Sequence, residues 1–132
     1  MKNRRTLLKS FMGLGLTLPL LSFAKEKSKT ETNFIHHVFF WLKNPNDKKE
    51  REKFETALKE MGTIESISLV HIGTPADTNR PIIDTSYHYS LLVGFKNKAD
   101  HDIYQEHPIH DKFRNEYSDM WTKVQIYDSV DI

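Results

Sequence analysis

Seven histidines and no cysteine in 132 residues confine the reactive side chains of this chain to His, Tyr, Asp, Glu, Ser and Lys. The absence of cysteine excludes a disulfide framework, a thiol nucleophile, a thiolate zinc site and an acylated lipoprotein cysteine. Two segments concentrate what remains. One is His36-His37 inside an apolar run, FIHHVFFWL; the other is Tyr104-Gln105-Glu106-His107-Pro108-Ile109-His110. A histidine titrating near pH ~6.5 can take a proton from a carbon next to a carbonyl, and a tyrosine hydroxyl can steady the enolate oxygen that results. The spacing disfavours a metal. His36 and His37 are adjacent on an expected strand and point to opposite faces, so they do not chelate one ion. His107 and His110 are split by Pro108 at an expected helix start, where His107 caps or packs and His110 alone turns inward. No metal and no cofactor is expected.

These residues need elements to hold them. Phe34 to Leu42 reads as a strand ended by Asn-Pro-Asn-Asp, with Asn46 or Asp47 capping a helix. In that helix Phe54, Ala57, Leu58 and Met61 form one apolar stripe, and Gly62 ends it. Ile64 to Ile72 is expected as a second strand, followed by the aperiodic loop TPADTNRPIIDTS. Tyr87 to Phe95 is a third, with Tyr87, Tyr89, Leu91, Val93 and Phe95 on one side. Helical spacing runs from Lys98 to Trp121 with a break forced by Pro108, and Lys123 to Ile132 alternates as a last strand. Asp100, His101, Asp102, Glu106 and Asp111 read as a solvated helix face. Helical spacing places Phe113, Tyr117, Met120 and Trp121 in the core.

The order β-α-β-β-α-β implies an α+β, ferredoxin-like fold: an antiparallel four-stranded sheet with two helices on one face. In that arrangement the first and third strands are neighbours, so His36, Tyr89, Tyr104 and His110 face one space, with Phe113 beside them as a ligand-binding residue. The other face of the first strand carries Ile35, His37, Phe39 and Trp41, and helices cover only one side. Phe39 and Trp41 alone would expose roughly 300–500 Å², near the limit for a soluble monomer. A second copy of the chain, sheet against sheet, is the expected cover.

The N-terminal segment reads as an address. Residues 1–24 carry Lys2, Arg4, Arg5 and Lys9, then an apolar stretch from Phe11 to Phe23, with small residues Ser22 and Ala24 at its end. This is the layout of a secretory signal, with cleavage expected after Ala24. Asn3-Arg4-Arg5-Thr6-Leu7-Leu8-Lys9 resembles a twin-arginine export signal, departing from it at Asn3 and Leu7; the other reading is the positive start of a general secretory signal. Residues 25–33, KEKSKTETN, contain no apolar side chain and read as a polar linker, leaving 34–132 as one domain. From Lys25 onward 15 basic residues face 18 acidic ones, so nucleic acid is not an expected partner. The membrane is expected to matter only through the export signal, and the destination is the periplasm or cell envelope.

From Phe34 to Asp131 the chain resembles the stress-responsive dimeric α/β-barrel (Dabb) family. The resemblance lies in IHHVFFWLK, SLVHIG, YSLLVGF and the Tyr104-to-His110 segment with its His-Pro-x-His, followed by an aromatic-rich helix and a strand ending in Asp128. It implies a homodimer whose sheets close into a barrel, with a pocket between sheet and helices in each subunit. Some members are stress-associated proteins without known chemistry; others are cofactor-free cyclases of polyketide chains. By analogy with the cyclases, His36, His110 and Tyr104 are the implied catalytic residues. The cyclase pattern has a further histidine on the third strand, where this chain has Tyr89, with His88 one residue away on the opposite face. The expected function is binding of a small apolar or phenolic carbonyl ligand by an exported homodimer. The alternatives are cofactor-free acid-base catalysis through His36 and His110, and a non-catalytic structural role under stress.

Overall fold

The computed structural model describes residues 31–132; the expected export signal of residues 1–24 and the first part of the expected linker lie outside the described residues. Strand β1 (Phe34–Leu42) leads into helix α1 (Lys48–Met61), followed by β2 (Leu69–Gly73), β3 (Tyr89–Phe95), α2 (Lys98–Gln105), α3 (Pro108–Tyr117), a short 3-10 turn (Ser118–Met120) and β4 (Trp121–Val130). The strands form one antiparallel sheet in the order β2-β3-β1-β4. This is the ferredoxin-like arrangement, with the second helix of the expected pair divided in two.

Local chemistry sets the boundaries. The Asp47 carboxylate accepts the Lys49 and Glu50 backbone N–H groups and starts α1. Phe54, Ala57, Leu58 and Met61 are fully buried from that helix, as their spacing requires. They meet Val38, Phe40, Leu91, Val93 and Phe95 from the sheet, with Phe113 from α3. The Phe54 ring touches Phe40 (5.2 Å), Tyr89 (5.5 Å), Phe113 (5.8 Å) and Trp121 (6.1 Å).

Three elements differ from expectation. Residues Ile64 to Ser68 are turns rather than strand; Ile64 and Ile67 instead plug the end of α1, and β2 starts only at Leu69. β3 starts at Tyr89, so Tyr87 is free of the alternation and crosses to the open face against Phe39 and Trp41. His88 closes the ladder: its N–H donates to the Phe40 carbonyl, and its Nδ1 accepts the Leu42 N–H at 2.8 Å. Trp121 opens β4 instead of ending the helix, opposite Leu42. It still packs on Phe40 and Phe113, so the core role expected of it is kept. At the N-terminal edge Thr32 bonds Ser68, and Asn33 donates to Phe95 O and accepts from Asp131 N, so ordered structure begins before β1.

β1 alternates strictly between buried and half-buried residues. Its second face carries Ile35, His37, Phe39 and Trp41, and the register adds Leu69, His71, Leu92 and Tyr127 to that face. Phe39 packs against Tyr87 (4.9 Å) and Tyr127 (6.1 Å); Trp41 donates to Ser86 and lies under the Lys123 ammonium at 4.3 Å. No helix of the described residues covers this face, and Leu69 and Tyr127 are 48% and 63% exposed.

Candidate functional site

The break at Pro108 builds the site. α2 begins at Asn97, whose side chain accepts the Asp100 N–H, and ends where proline forbids continuation. His107 then caps α3, its Nδ1 accepting the Ile109 N–H at 3.1 Å with Pro108 in the first turn. The expected capping role of His107 is therefore present. The chain turns sharply between the two helices, and Tyr104 from the end of α2 meets His110 from the start of α3 with ring centroids 4.9 Å apart.

These two rings face β1. His36 lies 5.8 Å from Tyr104 and 5.0 Å from His101 between ring centroids. Its Nδ1 is 2.6 Å from Asp128 Oδ1, because the register places Asp128 directly opposite it on β4. His36, Tyr104 and His110 are all buried, at 3%, 1% and 8% exposure. They line a cavity of about 280 Å³ between sheet and helices, walled on its apolar side by Val38, Phe40, Leu91 and Phe113 and bordered by Arg114 and β4.

Protonation follows from burial. His110 is lowered to about 4, first by desolvation and then by the nearby Arg114 charge, so its imidazole is neutral at neutral pH. Its Nδ1 is buried with no hydrogen-bond partner among the described residues. Desolvation also lowers His36, against the opposing pull of Asp128. A neutral His36 beside a carboxylate donates its Nδ1 proton to Asp128 and leaves Nε2 as an acceptor. Burial alone raises the Tyr104 phenol, which stays protonated as a donor. The cavity thus joins one phenolic donor and two neutral imidazoles to an apolar wall.

Of the residues singled out from sequence, His36, Tyr104, His110 and Phe113 come together here. Tyr89 does not. It sits level with Phe40, four residues along β3 from the partner of His36, and lines a separate depression beside Glu55 and Lys59. Its hydroxyl donates to Glu55 Oε1 at 2.5 Å under the Arg51 guanidinium, and its pKa is pushed up to about 12 by burial and by Glu55. The sharing of a sheet face by Tyr89 and His36 is real, but the face is long enough to hold two sites. Two contributors were missed. His101 leaves the expected solvated face and stacks on Phe34 at 4.5 Å; it precedes Tyr104 by three residues, the spacing that shares a helix face. Asp128 follows Val124 and Ile126 on the inward side of β4, and an acid at that step of an apolar alternation was the available signal.

A ferredoxin-like sheet with a helix-covered cavity on one side and an uncovered aromatic face on the other defines a class of small α/β-barrel proteins. The chain belongs to the stress responsive A/B barrel domain (Dabb) family, whose sequence model matches residues 34–131. Among solved structures it is similar to a Dabb family protein with a ferredoxin-like fold from Mesorhizobium loti (24% identity, TM-score 0.65, covering 76% of this chain and 98% of that one). It is also similar to a dimeric ferredoxin-like protein of unknown function from Thermobifida fusca (15% identity, TM-score 0.62, 75% and 91% covered). A third similar structure is a hydroxynitrile lyase from Passiflora edulis (15% identity, TM-score 0.63, 77% and 95% covered). No curated protein sequence matches the chain significantly.

Proposed function

We propose that the chain acts as an exported homodimer in which each subunit binds a small apolar or phenolic carbonyl compound in the cavity beside His36, Tyr104 and His110. The observation that carries this reading is the convergence of His36, Tyr104 and His110, all buried, on one cavity with an apolar wall. Polar groups buried at a cavity wall need hydrogen-bond partners, and a bound hydroxyl or carbonyl compound supplies them. A phenolic hydroxyl bonds an imidazole nitrogen, a carbonyl oxygen accepts from Tyr104, and the aromatic body meets Phe40 and Phe113.

A second reading, cofactor-free acid-base catalysis, is favoured by the pairing of His36 with Asp128. The carboxylate holds the imidazole in one tautomer, the arrangement of an oriented general base. The lyase from Passiflora edulis supports it as an example of chemistry hosted by the same fold.

Native mass spectrometry of the protein taken from its own cell envelope tests both. The expected result is a dimer carrying one small organic molecule per subunit, with occupancy at least tenfold lower in His110→Ala, on the order of one lost buried hydrogen bond. An empty dimer overturns the ligand reading and leaves the structural role under stress. His36→Gln separates the two readings: a catalyst keeps its ligand and loses turnover, whereas a binding protein keeps both ligand and stress survival unchanged.

Export is tested independently. Changing Arg4 and Arg5 together to Lys is expected to hold the protein in the cytoplasm if the twin-arginine route is used. Fractionation that still finds it in the envelope assigns these arginines to a general secretory signal instead.

A further inference from the structure

Three groups able to ligate a metal meet beside the cavity, from three elements far apart in sequence. His36 comes from β1, His101 from α2 and Asp128 from β4, and one ligand atom from each lies within 4.8 Å of the others. We propose that His36, His101 and Asp128 form a binding site for a divalent first-row transition metal ion, sharing His36 with the ligand cavity.

The rings are held in place before any ion arrives. His101 is fixed by stacking on Phe34 (4.5 Å) and by the Phe95 edge (5.4 Å), and His36 is packed at 5.0 Å from it. Among the described residues the nitrogens of His101 otherwise meet only Asp102 at 3.4 Å and Gln105 at 3.1 Å, both on its own helix. Asp128 is half-exposed on the edge strand, which leaves the cluster open to solvent on one side.

Two imidazoles and one carboxylate suit zinc, cobalt or iron rather than magnesium or calcium, which prefer all-oxygen shells. Metal–ligand distances of about 2.0–2.2 Å require ligand atoms roughly 3–4 Å apart. The His36–Asp128 pair, at 2.6 Å, must therefore open slightly. If the ion takes the place of the bridging proton, that proton moves from Nδ1 of His36 to its Nε2, and no net proton is released. Three protein ligands leave positions free for water or for an oxygen of a cavity ligand.

The test is titration of the chelator-treated full-length protein with Co²⁺ alone, followed by visible absorption. The expected result is saturable binding of one ion per chain below ~1 mM, weakened tenfold or more in His101→Phe, which keeps an aromatic ring against Phe34. If that variant does not fold, Asp128→Asn carries the same criterion. His107→Gln, outside the cluster, is expected to bind as the parent does. Absence of saturation below that concentration, or a weakening smaller than tenfold, overturns the site. A failed titration leaves the cavity reading untouched, because His110 and Tyr104 take no part in it.

Discussion

Trp41→Asp is expected to convert the proposed homodimer into monomers or aggregates, weakening self-association by a hundredfold or more, which corresponds to roughly 3 kcal/mol. The reason lies on the face of the sheet that no helix covers, where Trp41, Phe39, Tyr87 and Tyr127 form one aromatic patch. A half-buried aromatic cluster that no helix covers, with Tyr127 exposed at its edge, suits an interaction surface, and the similar Thermobifida fusca protein is dimeric. A carboxylate at position 41 removes the largest ring from the patch and must itself be desolvated for a second sheet to approach. Lys123 lies over Trp41 and would satisfy part of the new charge, but it cannot replace the lost apolar area. Analytical ultracentrifugation checks this directly. An unchanged dimer would mean that subunits meet elsewhere and that this face has another occupant.

Acid is expected to destabilise the fold well above the range in which ordinary carboxylates titrate. His110 is held near 4 in the folded state, first by burial, against about 6.5 when unfolded. Between those values the unfolded chain binds the extra proton, so stability rises with pH through this window. The contribution is fully present above pH ~6.5 and is lost as pH falls toward ~4; after allowance for solvent reaching the cavity it is on the order of 2 kcal/mol. Burial lowers His36 and His37 as well, which adds loss of the same sign. Urea unfolding midpoints measured from pH 7.5 down to pH 5 should fall steadily, and His110→Gln should flatten much of that slope. A midpoint constant across this range would show that His110 is protonated in the fold or solvated more freely than its position implies.

Element order and the inward face of β1 were legible from residue spacing, because alternation and helical periodicity report burial directly. His36, Tyr104 and His110 were legible for the same reason, together with the family resemblance. What spacing could not show is where along a shared face two side chains stand. Tyr89 and His36 point the same way from adjacent strands, yet the antiparallel register sets Tyr89 opposite Phe40 and His36 opposite Val93. Register also decided Asp128, since only the pairing of β1 with β4 brings it against His36. His101 looked solvated because its sequence neighbours are acids, but the helix turns it inward onto Phe34. The over-long second strand came from Ile64 and Ile67, apolar residues that serve the end of α1 rather than a ladder.

The pairing of the first strand with the last also has a meaning in time. His36 and Asp128 are 92 residues apart, so their contact forms only when nearly the whole domain has left the ribosome and the most distant loop has closed. Contacts of such long range form slowly compared with local helices. The antiparallel β1–β3 pair with its helices can assemble first, and the His–Asp pair is then among the last features to appear. A nascent or clipped chain ending before β4 therefore carries the cavity histidines without their carboxylate, and whatever the site does begins only once β4 has been made and paired.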